Sequence, residues 1–310
     1  MSLVAGGKRA DRIIQGTAQI SPLAQSQASA LLDDVVAAGA RTFDLAENYG
    51  GGRSEALFGG WLAERGGRDE LFIITKGAHP YGGRNRVTEA DIEADITGSL
   101  ERLGCGFADL YLLHRDDESV PVGGVVEVLH GLRARGLVNA YGVSNWRSER
   151  IAAANAYAEA RGYEPLSASS PHFSLAVPTE SPWPGCVSVS GADGVAERAF
   201  YAATGLPLLA WSSLAMGYFV APGPGAATAT GLNAAVRVFD TPANAARRAR
   251  AAELGARRGL SAPQTALLYV LSQACDTHAI VGCRSGDEYG ELKALSEQRL
   301  SAADVAWLEG

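Results

Sequence analysis

Several residue types and patterns are scarce in this 310-residue chain, and each absence excludes a class of protein. The few cysteines form no C-x-x-C pair and have no histidine at ligand spacing, so neither a zinc site nor a disulfide framework is predicted. We therefore expect no metal, and a reducing, cytoplasmic compartment. The four cysteines are Cys105, Cys186, Cys275 and Cys283.

Long apolar runs and clustered positive charge are missing as well. No charged-then-apolar leader and no run of eighteen apolar residues is present, so neither secretion nor membrane spanning is expected. A net charge of -7 argues against nucleic-acid binding, because affinity for a phosphate backbone rests on clustered cations. With 47% hydrophobic residues, the composition favours a soluble globular protein, a monomer or small homo-oligomer acting on small molecules.

Short apolar runs alternate with longer amphipathic segments, which predicts an α/β fold. Eight β-α units favour a single-domain (β/α)8 TIM barrel over residues 12–309, with a doubly wound sheet as the alternative. Residues 1–11 are predicted to be an N-terminal lead-in, in part a remnant of the expression vector. The predicted strands are Ile13–Gly16, Thr42–Leu45, Leu71–Thr75, Leu110–Leu113, Ala140–Val143, Leu166–Ala168, Leu208–Trp211 and Ala279–Val281.

The predicted helices between these strands carry end signals. Ser54 and Thr88 precede acidic first turns and are predicted to be N-caps. Three glycines follow periodic segments and are predicted to end helices in the left-handed conformation. They are Gly39, Gly104 and Gly136.

Three successive predicted strands end in ionisable residues, namely Asp44, Lys76 and His114, and Tyr49 lies just beyond the first of them. In a (β/α)8 barrel the carboxyl ends of the strands meet at the catalytic rim, so these side chains are expected to converge. A tyrosine has a pKa near ~10 and can act as an acid if its anion is stabilised. A lysine held by an aspartate supplies that stabilisation, and a histidine can donate to a carbonyl oxygen.

The segments FDLAENYG, ITKG, LYLLH and GVSNW resemble, in order and spacing, the aldo-keto reductase superfamily, from about Arg12 to Leu308. The resemblance implies that Tyr49 is the general acid, that Asp44 and Lys76 tune it, and that His114 positions a substrate carbonyl. It also implies hydride transfer from NADPH, so NADP(H) is expected, with NAD(H) as the alternative. No G-x-G-x-x-G lies between a strand and a helix, so a Rossmann site is not predicted.

The resemblance also implies a coenzyme site along the rim. Ser144 and Asn145 would hold the carboxamide, Trp211 would stack on the nicotinamide, and Arg284 and Ser285 would meet a phosphate at a helix start. Ser170 stands where the family often has glutamine, and Glu288 and Leu292 replace an arginine and an asparagine. The predicted coenzyme residues are Gly16, Thr17, Ser144, Asn145, Ser170, Trp211, Ser212, Leu214, Gly217, Arg284 and Ser285.

The substrate pocket is predicted to include His79, Tyr81 and Trp146. Trp183, in a proline-flanked loop, has either a substrate role or a surface-packing role. Residues 212–240, rich in Gly, Pro and Ala, are predicted to form a mobile flap. Arginines near the rim could favour polar or anionic substrates such as keto sugars; they are Arg84, Arg86 and Arg115.

Two other functions are compatible with the residues. The first is an NADPH-binding regulatory or redox-sensing subunit, which absent turnover would favour. The second is a Schiff-base lyase in which Lys76 attacks a carbonyl, and borohydride trapping would detect it.

Overall fold

The computed structural model describes residues 3–220 and 237–310, within which eight parallel strands close into a barrel. A short antiparallel hairpin, β1 (Val4–Ala5) and β2 (Lys8–Arg9), precedes it. The last barrel strand pairs with the first one, which completes the ring and confirms the predicted (β/α)8 architecture. The barrel strands are β3 (Ile13–Gly16), β4 (Thr42–Asp44), β5 (Phe72–Gly77), β6 (Ala108–Leu113), β7 (Val138–Ser144), β8 (Ser169–Ser170), β9 (Leu208–Ala210) and β10 (Thr277–Val281).

Helices surround the barrel. In the described residues they are α1 (Gln25–Ala37), α2 (Arg53–Arg65), α3 (Glu89–Leu103), α4 (Val122–Ala134), α5 (Ser148–Arg161), α6 (Val195–Thr204), α7 (Pro242–Arg258), α8 (Ala262–Leu271), α9 (Gly286–Lys293) and α10 (Ala302–Glu309). The Thr88 side chain accepts a hydrogen bond from the Asp91 N–H, as predicted for an N-cap. Gly39, Gly104 and Gly136 have φ of 99°, 64° and 74°, which confirms their left-handed conformation.

The predicted N-cap at Ser54 is wrong. Helix α2 begins at Arg53, and Gly52, with φ of 87°, occupies the N-cap position without a side-chain cap. Ser54 is fully buried, and its hydroxyl donates to the Thr17 carbonyl at 2.9 Å. A buried hydroxyl requires a hydrogen-bond partner, and Thr17 provides it.

The predicted sixth strand, Leu166–Ala168, is displaced from the observed β8 at Ser169–Ser170. The predicted segment meets β7 through two backbone hydrogen bonds, from the Ser167 N–H to the Tyr141 carbonyl at 2.8 Å and from the Val143 N–H to the Ala168 carbonyl at 3.2 Å. The strand itself consists of two fully buried serines, whose hydroxyls bond to Tyr201 and to the Leu209 carbonyl. The apolar pattern used for the prediction therefore lies just before the strand and not within it.

The segment before Arg12 packs against the barrel. Leu3, Ala5 and Ala10 are buried in one cluster with residues of the barrel interior such as Ile74 and Leu112. Lys8 donates to the Leu71 carbonyl, just before β5, and pairs with Asp109 near the start of β6 at 2.6 Å. The hairpin thus covers the end of the barrel where the strands begin, opposite the predicted catalytic rim.

His172, two residues after β8, makes the stability of the fold depend on pH. It is fully buried against Trp211, and burial lowers its pKa to about 3. Between about pH 6.5, where an unfolded histidine titrates, and about 3, the unfolded chain binds a proton that the folded protein does not. This residue therefore stabilises the fold above pH 6.5, and its contribution falls by up to about 1.4 kcal/mol per pH unit below it.

We expect His172→Gln to make the free energy of unfolding fall less steeply as the pH decreases. The measurement is the free energy of unfolding in urea between pH 7 and pH 4. Phe173→Leu, a change of the buried residue next to His172 that removes no titratable group, is the control and should retain the wild-type slope. An unchanged slope in His172→Gln would show that other groups govern acid unfolding.

Candidate active site

The side chains of Asp44, Lys76 and His114 meet at one rim because they follow neighbouring strands. Strand β4 ends at Asp44, Lys76 is the last residue but one of β5, and His114 directly follows β6. The three strands are adjacent and parallel, so their carboxyl ends lie side by side. Asp44, Lys76 and His114 are 2%, 2% and 8% exposed, so their polar atoms must find partners within the site.

Lys76 is the centre of a buried hydrogen-bond network. Its Nζ lies 2.7 Å from Asp44 Oδ1 and donates to the Leu45 carbonyl at 2.9 Å and to the Tyr49 hydroxyl at 3.0 Å. These contacts use all three ammonium donors. The Tyr49 hydroxyl in turn donates to Asp44 Oδ2 at 3.3 Å. The structure thus brings the predicted aspartate, tyrosine and lysine into direct contact.

The loop after β4 returns Tyr49 to the rim. The Tyr49 N–H donates to the Ala46 carbonyl at 3.1 Å, which closes a tight turn. The glycines that follow have φ of 61°, 62° and 87°, a region that side chains disfavour. They allow the chain to reverse before α2, and the run of glycines in the sequence therefore serves the placement of Tyr49.

Electrostatics keep Tyr49 protonated and Lys76 charged. Burial and then Asp44 raise the pKa of Tyr49 to about 12, and Lys76 opposes this rise. Burial by itself lowers the pKa of Lys76, but Asp44 and Tyr49 outweigh it, so that its pKa lies above the ordinary value. Tyr49 is therefore held as an acid, with an ammonium in place to stabilise its anion.

His114 is a neutral hydrogen-bonding group. Burial, followed by the charges of Lys76 and Arg115, lowers its pKa well below the ordinary value. Its ring lies edge-on to Tyr49, with centroids 5.9 Å apart, and 5.1 Å from His79. Its Nδ1 is buried without a hydrogen-bond partner in the described residues. The His114 imidazole therefore faces the same space as the Tyr49 hydroxyl.

Backbone strain collects at the same rim. In residues 3–220 and 237–310, five non-glycine residues have positive φ, between 50° and 62°. All five directly follow barrel strands or lie in the turn after β9, where such strain is characteristic of functional sites. They are Ala78, Asn145, Ser212, Ala215 and Met216.

The predicted carboxamide pair, Ser144 and Asn145, lies buried at the end of β7 and is already bonded. The Ser144 hydroxyl donates to the Ser170 carbonyl at 2.7 Å. Asn145 Nδ2 donates to the His114 carbonyl, and Asn145 Oδ1 accepts from Trp211 Nε1 at 3.2 Å and from the Val187 N–H at 3.1 Å. A bound carboxamide would have to exchange with some of these bonds.

Trp211 itself is half-buried at the end of β9. Trp183, whose role the sequence left open, lies with its ring centroid 5.6 Å from that of Trp211 and is 46% exposed. The segment that carries Trp183 therefore reaches the predicted nicotinamide position.

The turn after β9 is tight. Leu214 has φ of -101°, and Ala215, Met216 and Gly217 follow with positive φ. The Ala215 and Gly217 N–H groups donate to the Ser212 and Leu214 carbonyls at 2.7 and 3.1 Å, so a bound diphosphate would have to exchange with these bonds. Ser212, Leu214 and Gly217 belong to this turn. Residues 221–236 of the predicted flap lie outside the described residues.

Gly16 and Thr17 lie beside Asp44. Thr17 donates through its N–H and its hydroxyl to the Asp44 carbonyl, at 3.1 and 3.0 Å. A Cβ at Gly16 would lie 3.2 Å from the Val281 carbonyl, so the strand ends approach closely here. These contacts position Asp44, a role that the sequence did not reveal.

The N-terminus of α9 is capped by the protein's own side chains. The Ser285 hydroxyl accepts from the Glu288 N–H at 3.2 Å, and Glu288 Oε2 accepts from the Arg284 N–H at 2.7 Å. Asp34 accepts from the Gly286 N–H. Leu292 is buried. An anion at this helix end therefore meets two carboxylates as well as the exposed Arg284.

Of the predicted substrate residues, His79 lies at the rim against His114. Tyr81 is 83% exposed in a tight turn with Arg84. Trp146 is 1% exposed, and its indole donates to the Arg115 carbonyl at 3.4 Å. Of the three predicted residues, His79 is thus the one that the structure brings against the predicted catalytic group, through His114.

The predicted rim arginines separate into two kinds. Arg84 pairs with Asp91, and Arg86 pairs with Asp91 and Asp95. Arg115 is 6% exposed and bonds only to carbonyl oxygens in the described residues.

The fold and this site can now be compared with known proteins. The Aldo/keto reductase family model matches residues 12–310. The chain belongs to the aldo/keto reductase family. The structure is similar to that of an aldo/keto reductase from Klebsiella pneumoniae in complex with NADP and acetate, with a TM-score of 0.74, 22% identity and coverage of 99% of this chain and 94% of that one. This likeness supports the fold.

Curated aldo/keto reductase relatives match part of the chain. It is 31% identical to norsolorinic acid reductase from Aspergillus flavus over 155 residues, which cover 47% of this chain and 40% of the relative. It is 34% identical to 6-dehydroglucose reductase from Agrobacterium fabrum over 149 residues, 44% of this chain and 50% of the relative. The chain thus matches half or less of the length of these relatives.

In residues 3–220 and 237–310, no group of three or more histidine, cysteine, aspartate and glutamate side chains could hold a metal ion. No helix of the described chain is long and apolar enough to cross a bilayer.

Proposed function

We propose that this protein reduces an aldehyde or ketone to an alcohol, with a nicotinamide coenzyme as hydride donor and Tyr49 as general acid. The observation that carries the proposal is the contact of the Tyr49 hydroxyl with Lys76 Nζ and Asp44, next to the His114 ring. A protonated phenol beside an ammonium is an acid whose anion is stabilised where it forms.

In this mechanism the protein's residues orient the carbonyl and move one proton. The His114 imidazole donates a hydrogen bond to the carbonyl oxygen and fixes it near the Tyr49 hydroxyl. When bound, a dihydronicotinamide would supply the hydride that reduces the carbonyl carbon. Tyr49 gives its proton to the oxygen, and its phenolate is stabilised by the ammonium of Lys76, which Asp44 holds in place. Solvent then returns a proton to Tyr49.

The residues at the rim fit parts of a nicotinamide dinucleotide. Trp211 offers an aromatic face to the nicotinamide. The turn Ser212–Gly217 would receive a diphosphate by exchange with its internal N–H bonds. Arg284 offers a cation to a 2'-phosphate, so NADP(H) is the proposed coenzyme. Glu288 and Asp34 weaken that interaction, which keeps NAD(H) as the alternative. The free state of all four cysteines is compatible with action in the cytoplasm.

Glu288→Gln should tighten NADPH binding about two- to fivefold and leave NADH binding unchanged, because it removes a negative charge beside the 2'-phosphate. The glutamine oxygen can still accept from the Arg284 N–H, so the helix end is retained. The measurement is the Kd of each coenzyme by tryptophan fluorescence. Glu297→Gln, an exposed carboxylate beyond α9, is the control. Equal changes for both coenzymes would place the 2'-phosphate elsewhere.

The structure weighs against the lyase. A Schiff-base lysine must be a neutral nucleophile, which requires a lowered pKa. Asp44 and Tyr49 instead raise the pKa of Lys76, and its three donors are occupied. A regulatory subunit would have no need for this buried acid network.

The test of the proposed function combines binding and turnover. The purified protein is titrated with NADPH and with NADH while tryptophan fluorescence, to which Trp211 and Trp183 contribute, is followed. It is then assayed with a panel of aldehydes and ketones. Quenching together with consumption of the coenzyme supports the reductase. Quenching without turnover favours the regulatory subunit, and borohydride trapping of a carbonyl on Lys76 favours the lyase.

A further inference from the structure

Arg115 is a buried cation without a counter-ion among the described residues. It is 6% exposed, and no carboxylate of residues 3–220 and 237–310 lies within 4.0 Å of its guanidinium. Neighbouring arginines are neutralised: Arg150 pairs with Asp116 at 2.7 Å, and Arg84 pairs with Asp91 at the same distance. Since burying an unpaired charge is costly, a charge kept in this state indicates an absent partner.

The hydrogen bonds of Arg115 leave most of its donors free. Nε donates to the Pro184 carbonyl at 3.1 Å, and Nη1 donates to the His114 carbonyl at 2.8 Å. A guanidinium has five N–H donors, so three have no partner among the described residues. The two bonds to neutral carbonyls hold the group in place and leave its charge uncompensated.

The position of Arg115 relates it to the reacting centre. It directly follows His114, whose ring lies against Tyr49 and His79. Its charge contributes to the lowered pKa of both histidines, after burial as the largest cause. On its other side, a Cβ at Gly185 would lie 3.3 Å from Arg115 Cδ, so the Trp183 segment covers it. The Arg115 charge therefore acts where the substrate carbonyl would bind.

We propose that Arg115 binds a carboxylate of the substrate, and that the protein reduces oxo acids, in which an acid group lies near the carbonyl carbon. This inference rests on the proposed reductase function and adds the substrate class. The carbonyl carbon gains a hydride as NAD(P)H is oxidised to NAD(P)+, its oxygen gains the Tyr49 proton, and the product is the hydroxy acid. The carboxylate is unchanged and is the missing counter-ion of Arg115.

A purely structural Arg115 would bind no anion. Its bond to the Pro184 carbonyl requires a donor and no charge, and a glutamine has such a donor. Arg115→Gln therefore removes the charge and retains a donor, whereas Arg115→Lys retains the charge. Arg84→Gln, on a nearby loop, removes a charge that Asp91 already compensates and is the matched control.

The first experiment measures binding without turnover. Oxamate, an oxo-acid analogue that is not reduced, and its neutral methyl ester are titrated against the protein, with tryptophan fluorescence as the readout. We expect oxamate to bind the wild type and Arg84→Gln at least tenfold more tightly than the ester does. This preference should disappear in Arg115→Gln and persist in part in Arg115→Lys. Equal affinities for oxamate and its ester in the wild type would overturn the proposal.

The second experiment compares reduction of 2-oxobutanoate and 4-oxobutanoate with that of their methyl esters. Arg115→Gln should lower kcat/KM for at least one acid by about ten- to a hundredfold, mainly through KM, and change the ester rates little. Equal losses for acids and esters would show that Arg115 only supports the fold.

The two proposals fail in different ways. A wild type that reduces the esters as well as the acids overturns the inference and leaves the reductase function intact. A wild type that reduces no member of either series, or of the wider carbonyl panel, contradicts the reductase function itself. Should Arg115→Gln not fold, the comparison of acid with ester in the wild type still decides the substrate class.

Discussion

Tyr49→Phe should lower the rate of carbonyl reduction by about 10²- to 10⁴-fold, the usual contribution of a general acid. The change removes one oxygen, the atom that contacts both Lys76 Nζ and Asp44 Oδ2. The ring remains, as does its packing edge-on to His114. Coenzyme affinity should therefore stay within about twofold of the wild type. Single-turnover rates and fluorescence titration measure the two quantities separately.

A matched control is Tyr157→Phe. The Tyr157 hydroxyl on the outer helix α5 bonds to Glu127 of the outer helix α4 at 2.6 Å. This variant should retain the full rate. If Tyr49→Phe lost coenzyme binding in proportion to its rate, the hydroxyl would be needed for binding and the acid role would be refuted.

The Lys76–Asp44 pair should show opposite effects on stability and on activity. The side chains of both residues are 3% exposed, so either single change, Lys76→Met or Asp44→Asn, leaves one buried charge without its partner. Each should destabilise the fold by about 3–5 kcal/mol. The double variant buries no charge and should regain most of that stability. All three should remain nearly inactive, because the ammonium that stabilises the phenolate is absent or misplaced.

Urea unfolding and single-turnover assays test this pattern. The exposed pair Glu253 and Arg257 on α7 is the control, and the corresponding single and double changes should stay within about 0.5 kcal/mol. A double variant no more stable than the single ones would mean that the two charges do not form an electrostatic unit. Recovered activity in the double variant would contradict the role of the ammonium.

The sequence was sufficient to predict what depends on periodicity and on strand ends. Alternating elements indicated the barrel, and Asp44, Lys76 and His114 could be placed at one rim because parallel strands align their carboxyl ends. The N-cap at Thr88 could be named from its acidic neighbours, and its side chain accepts from the Asp91 N–H as predicted. These features follow from local rules, so one sequence was enough.

Contacts between distant segments were not predictable in this way. Asp116 directly follows Arg115 in the sequence, yet it pairs with Arg150 from α5. Ser54 resembles an N-cap, but its burial beside Thr17 overrides that preference. Glu288 did have a signal, because a serine three residues before a glutamate is typical of a capped helix start. The family pattern concerned only the negative charge of Glu288, so its role at the start of the helix was not predicted.

The left-handed residues at the rim bear on how this protein could be engineered. Each non-glycine residue in that conformation costs about 1 kcal/mol or more, so five of them together approach the net stability of an ordinary domain. The rest of the barrel must offset this cost. Glycine at Ala78 or Met216 would relieve it and make the protein more heat-resistant, and it would also free the backbone that fixes the rim. Thermal tolerance and catalytic geometry are therefore in competition at these positions, and stabilising changes are better placed on the outer helices.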